Sequence, residues 1–210
     1  DIIAVQSEVA QTIAREIEVA ISPEVRNRIE KIPTQNQQAY DLYLKGRDAF
    51  FRFYMNRNSA DLENCIQQFE QAISLDSTFA LPYAWLGRAI EYQIGQKIFI
   101  DYDENTIISL CNKALSLDPN LADGYWIRGR YYRNIGEFQK AIIDLTKAID
   151  MNPNNVLAYR YLGSTYFFNR DYINAVVNLK KAEKLERGNE LTQLYSDIGQ
   201  VYVSIGEFQK

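Results

Sequence analysis

A period of 34 residues governs this chain. Below ADGYWIRGRYYRNIGEFQKAIIDLTKAIDMNPNN (122–155), the stretch VLAYRYLGSTYFFNRDYINAVVNLKKAEKLERGN (156–189) sets Gly163 under Gly129, Tyr166 under Tyr132, Ala175 under Ala141, Leu179 under Leu145 and Ala182 under Ala148. A period of this length describes one helix–turn–helix unit that leaves an apolar face open, so units must stack to make a core. A small residue at each glycine, and at Ala141 and Ala175, lets two antiparallel helices approach where a larger side chain would overpack. Tyr132, Leu145, Tyr166 and Leu179 fill the space around those contacts. Asp118-Pro119 and Asn152-Pro153 end units, because proline cannot continue a helix and restricts its predecessor. Asp76-Ser77 and Arg187-Gly188 lack that proline, and weaker helix stops are expected there.

The same frame extends upstream with longer hairpins. Gly129 to Ala148 and Gly163 to Ala182 each span nineteen residues, whereas Gly46 to Ala72 spans twenty-six and Gly87 to Ala114 twenty-seven. Units 39–79 and 80–121 therefore hold extra residues. In the first, FFRFYMNRNS is expected to lengthen the leading helix up to a cap at Asn58 or Ser59. In the second, IGQKIFIDYDEN reads as loop. Both are docking surfaces or insertions tolerated at low loop-closure cost. The run from Asp101 to Asn105 is no calcium loop, since Thr106 stands where glycine is needed and Asn112 where the bidentate glutamate belongs. At the other end, SIGEFQK (204–210) repeats NIGEFQK (134–140), and 190–210 reads as the first helix of a truncated further unit. Its uncovered face is expected to fray or to pack on another molecule.

Composition removes most chemistry. With no histidine there is no Ser–His–Asp or Cys–His catalysis, no His-ligated zinc and no imidazole switch. Cys65 and Cys111 sit in apolar helical patterns and read as packing. No phosphate-binding glycine loop, Cys-x-x-Cys or metal cluster occurs, so a non-catalytic chain without cofactor or metal is expected. A net charge of −4 argues against nucleic acid. No apolar run reaches the roughly 20 residues of a membrane span. Without a visible signal peptide, a cytoplasmic location is expected.

The pattern of aromatic, Leu-Gly, Tyr, Ala, bulky apolar residue, Ala and Pro resembles the tetratricopeptide repeat. The resemblance implies an all-α, right-handed superhelical solenoid of antiparallel helix pairs, acting as a scaffold that binds a protein or peptide on its concave wall. In that family the wall is lined from the second, fifth, ninth, twelfth and thirteenth positions of each unit. Carried over, these are Leu81, Ala84, Arg88, Glu91 and Tyr92; Asp123, Trp126, Arg130, Arg133 and Asn134; and Leu157, Arg160, Ser164, Phe167 and Phe168. The candidates for peptide contact are Trp126, Arg130, Arg133, Arg160, Phe167, Arg88 and Tyr92. Arginines can clamp carboxylates bidentately, which points to a partner with acidic or C-terminal carboxylate groups. Pairing of the arginines with acidic residues of adjoining helices is the competing use. The chaperone-binding clamp needs lysine and asparagine where Trp126, Arg130, Arg160 and Ser164 stand, and is absent. Loss of partner binding with helicity intact is expected on replacing Trp126 and Arg130 by alanine.

Residues 1–38 precede the repeats. Val5, Val9, Ile13 and Ile17 share a helical face, and Ser22-Pro23-Glu24 starts a second helix to about Ile32. With AYDLYLKGRDAF, this part resembles the linker of bacterial multidomain proteins that join an adenylate cyclase, winged-helix, kinase or TolB-like domain to tetratricopeptide repeats. That implies an alternative role as a regulatory arm, self-associating through the first helix or the open last one.

Overall fold

The computed structural model describes residues 33–96, 102–186 and 191–208, together with Val5, Glu8, Val9 and Thr12. Among them all regular structure is helical: α1 (Gln37–Asn56), α2 (Ser59–Leu75), α3 (Ala80–Gln96), α4 (Glu104–Leu117), α5 (Ala122–Asn134), α6 (Phe138–Met151), α7 (Val156–Phe168), α8 (Tyr172–Leu185) and α9 (Leu191–Phe208). The chain divides into two compact units, Asp1–Phe79 and Ala80–Lys210. Val5 and Val9 are helical and exposed. Ile13, Ile17 and the helix expected from Ser22 lie outside the described residues.

In the first unit α1 and α2 form one hairpin. Asn36 caps α1 by accepting from the Ala39 N–H at 3.0 Å. Arg57 takes a left-handed conformation, φ 58°, and returns its N–H to the Phe53 carbonyl. Asn58 then caps α2 by accepting from the Ala60 N–H at 3.0 Å, so the cap falls on Asn58 and not Ser59. Phe53, Phe69, Cys65 and Ala72 are fully buried between the helices. The Thr34 hydroxyl donates to Asp76 at 2.5 Å and the Asn36 amide to the Leu75 carbonyl at 3.0 Å, tying the entry of α1 to the end of α2. The Thr34 bond, then that of Thr78, holds the Asp76 carboxyl below its ordinary range.

The missing proline does not weaken the stop after α2. Asp76, Asp118 and Asn152 have closely matching backbone angles, φ −146°, −137° and −137° with ψ 95°, 93° and 89°. Each side-chain oxygen accepts from the N–H two residues on: Thr78 at 2.9 Å, Asn120 at 3.1 Å and Asn154 at 3.2 Å. This Asx turn makes the geometry, whether serine (77) or proline (119, 153) follows.

In the second unit α3 pairs with α4, α5 with α6 and α7 with α8, and α9 packs on α8. Ile94 to Gln96, expected as loop, instead complete α3, and Asp103 caps α4 by accepting from the Thr106 N–H and hydroxyl, both at 2.9 Å. A tie the repeat pattern did not foretell crosses this unit. The Arg128 guanidinium donates to both Asp144 oxygens, at 2.7 and 2.8 Å, and to Asn112 at 2.7 Å, joining α5 to α6 and α4.

The glycines opposite these pairs are not equivalent. The residue three before each unit's second-helix alanine is Phe69, Cys111, Leu145 or Leu179, and its size sets the clearance. A Cβ on Gly129 would lie 2.8 Å from Leu145 and 3.2 Å from the Ala141 carbonyl; on Gly163 the values are 2.7 Å to Leu179 and 3.1 Å to the Ala175 carbonyl. On Gly87 the nearest atoms, the Cys111 sulfur and the Ile107 carbonyl, are 3.5 Å away. The expectation that every glycine must stay small therefore fails at Gly87. Gly129→Ala and Gly163→Ala should each cost about 1–3 kcal/mol, while Gly87→Ala should be neutral or gain up to about 1 kcal/mol of helix propensity. Thermal unfolding of the three variants tests this, and equal losses at all three would refute it.

Candidate functional site

The candidate side chains project from α3, α5 and α7, with α9 beside them. On α3, Arg88, Glu91 and Tyr92 share a face by their spacing of three and four. Glu91 is the hub. One of its oxygens accepts from Arg88 at 3.3 Å and from Arg130, and the other from the Asn134 amide. Arg88 also donates to the hydroxyls of Tyr92 at 3.0 Å and Tyr161 at 3.4 Å, and its guanidinium sits 4.3 Å over the Tyr92 ring. Arg130 lies between the Tyr92 and Tyr161 rings, 5.3 Å from each.

Behind this network runs an aromatic ladder. Trp85 meets Trp126 edge-on, and Trp126 stacks on Tyr161 with centroids 6.0 Å apart and rings 5° from parallel. Asp123 accepts both indole N–H groups, at 2.9 and 3.0 Å. Trp126 is thus a core residue, 3% exposed, as is Arg88. This corrects their expected place: both are buried, the Trp126 ring against Trp85 and Tyr161 of neighbouring helices and the Arg88 guanidinium against Glu91, Tyr92 and Tyr161, which hold them away from water. Replacing Trp126 would test the fold and not the ligand.

The other five candidates line cavities. Arg130 and Tyr92 border one of about 420 Å³ with Glu91, Asn134, Ile107 and Ile135. Arg133, Arg160 and Phe167 line a second, of about 240 Å³, with Ser164, Phe168 and Asp197. Arg160 pairs with Asp197 at 2.9 Å. Arg133 donates to Ser164 at 3.0 Å and Asn134 at 2.7 Å, both neutral, and lies near the Tyr161 and Phe168 rings. Among the described residues no carboxylate comes within ion-pair distance of Arg133. Burial, then the charge of Arg130, lowers its pKa from the ordinary arginine value.

Tyr161 is the residue that sequence reasoning missed. Burial would raise its pKa, but Arg88, then Arg130 and Arg160, outweigh burial and lower it. One signal was present: Tyr161 falls 34 residues after Ile127, so a polar-tipped ring replaces an aliphatic residue at a core position. Asp197 lay beyond the units from which the wall was assigned. The two thiols offer no chemistry, burial pushing Cys65 and Cys111 up to about 12. Among the described residues no group of side chains could hold a metal ion, and no helix is long and apolar enough to cross a membrane.

One tetratricopeptide repeat family matches residues 122–155, and a second matches 145–177. Residues 122–177 thus match the tetratricopeptide repeat. A search of curated proteins finds no match. Among solved structures, pilF of Pseudomonas aeruginosa is similar with a TM-score of 0.63 at 15% identity, over 82% of this chain and 71% of that one. TTC0263, a tetratricopeptide protein of Thermus thermophilus, gives 0.62 at 18% identity over 80% and 83%. The first tetratricopeptide domain of Spaghetti (RPAP3), solved bound to the HSP90 peptide SRMEEVD, gives 0.50 at 19% over 67% and 99%. At these identities the likeness concerns the fold, and it agrees with the all-α solenoid class expected from the 34-residue period.

Proposed function

We propose that this chain is a non-catalytic scaffold that binds an extended acidic peptide, or an acidic segment of a protein, along the face formed by α5, α7 and α9. The observation that carries this reading is Arg133: a largely enclosed guanidinium at the edge of a cavity, with neutral partners only among the described residues. Such a charge is costly to hold without an anion, and an arginine fork suits carboxylates. The Spaghetti domain, of the same fold, is bound to a peptide rich in acid, which supports the ligand class. The clamp positions differ here, so the partner is not assigned to chaperone tails.

The test uses a degenerate peptide library enriched in Asp and Glu against a neutral library of the same length, with binding read by fluorescence anisotropy. The acidic library should bind more tightly, and Arg133→Ala should weaken it about tenfold or more with helicity unchanged by circular dichroism. Unchanged affinity would move the site to the second helices or to the long hairpins. The regulatory-arm alternative rests on the resemblance of residues 1–50, and the greater part of residues 1–38 lies outside the described residues.

A further inference from the structure

The larger cavity, of about 420 Å³, lies among α3, α4 and the end of α5, beside the turn that carries Arg133. Ile94, Ile107 and Ile135 line it with Tyr92, Tyr131 and Gly95. Ile107 is buried, whereas Ile135 stays 48% exposed at the rim. A Cβ on Gly95 would find no atom within 4 Å, so open space lies over this part of α3.

The polar groups of this lining are occupied with one another. Arg130 donates to one Glu91 oxygen and the Asn134 amide to the other. The side-chain oxygen of Asn134 accepts from Arg133 at 2.7 Å. Both Glu91 oxygens and both ends of the Asn134 amide are thus engaged. A polar ligand group would compete with these bonds after losing its own water. An apolar group would instead release water from the isoleucine walls.

We infer that this cavity takes a bulky apolar side chain, leucine or phenylalanine, of the same peptide whose acidic residue meets Arg133; the inference rests on the reading proposed above. Continuity of the two sites argues for one ligand. Arg133 and Asn134 are consecutive in α5 and bonded to each other, and each lines one of the two cavities. An extended chain advances roughly 3.3–3.6 Å per residue, so a short peptide reaches both sides of this turn. Ligand sites commonly join apolar walls to a few placed polar groups. Here the isoleucine cavity supplies the first and Arg133 the second. The partner is then an acidic segment with a large apolar residue close to its acid, and not a uniformly acidic tract.

Four degenerate peptide libraries test this, with glutamate or glutamine at the centre and either Leu and Phe or Ser and Asn within about four residues of it. Binding of the purified chain is followed by fluorescence anisotropy. The acidic apolar library should bind about tenfold more tightly than the acidic polar one. Gly95→Leu, which fills the cavity, should erase that advantage, and Gly95→Ala, too short to fill it, should keep it. Both replace a glycine within a helix, and melting curves should show no loss. Ile135→Ser, at the rim, should reduce the advantage, and it decides the matter if the leucine variant is less stable. Equal binding of the two acidic libraries, or an advantage that survives both Gly95→Leu and Ile135→Ser, would overturn this assignment and leave the acidic-peptide reading standing. No preference for glutamate over glutamine in either pair would overturn both.

Discussion

Glu91→Ala is expected to destabilise the chain by about 3 kcal/mol or more, the largest effect of any single polar replacement here. Its carboxylate is the ion-pair partner of both Arg88 and Arg130, whose side chains are 3% and 12% exposed. Removing it leaves two like charges side by side in a site that water barely enters. Taking away one cation is milder, since Glu91 keeps the other. Arg88→Met should therefore cost less than Glu91→Ala, and the double replacement should cost less than the sum, with the coupling read from a double-mutant cycle. The urea midpoint should fall without a change in slope. A loss below about 1 kcal/mol would class the pair with surface ion pairs and contradict the enclosure argued above.

Phe69→Ala is expected to cost about 3–5 kcal/mol. The ring is fully buried in the first unit and lies 6.2 Å, centroid to centroid, from Tyr43. It also occupies the space a Cβ on Gly46 would need, with ring carbons at 2.6 and 2.8 Å. The two positions are therefore coupled: Gly46→Ala should be costly with Phe69 present and much cheaper in the Phe69→Ala background, where the ring is gone. Helicity followed in urea checks the loss. Both tryptophans, Trp85 and Trp126, belong to residues 80–210, so indole fluorescence reports the second unit separately. Strict additivity of the two replacements would show that ring and glycine are not in each other's way.

Much of the candidate site was legible as a set of positions and little of it as a set of roles. The family's wall positions brought Arg130, Arg133, Arg160 and Phe167 to the cavities, because helical spacing alone decides which residues share a face. Whether a side chain on that face reaches a ligand or a neighbour depends on residues far away in sequence. Arg88 meets Tyr161 across 73 positions, Arg130 meets Glu91 across 39, and Arg160 meets Asp197 across 37. Trp126 has the character of a ligand anchor within its own helix, and it is Trp85 and Tyr161, from two other helices, that make it core.

The sequence by itself determined that helices pair, where the tight contacts fall and which class of fold results, since small and bulky residues recurring every 34 positions leave one economical way to bury apolar surface. The tertiary structure alone decided how local phrases fold. Ile-Gly-Glu-Phe at 135–138 makes a turn, with Gly136 at φ 81°, yet the same four residues at 205–208 lie within α9. Arg170, 34 residues after Gly136, adopts φ 62° at the matching turn without being glycine. The turn is placed by the seating of Ala141 on Gly129 and of Ala175 on Gly163. Packing of whole helices outweighs the roughly 1–2 kcal/mol preference of any one residue.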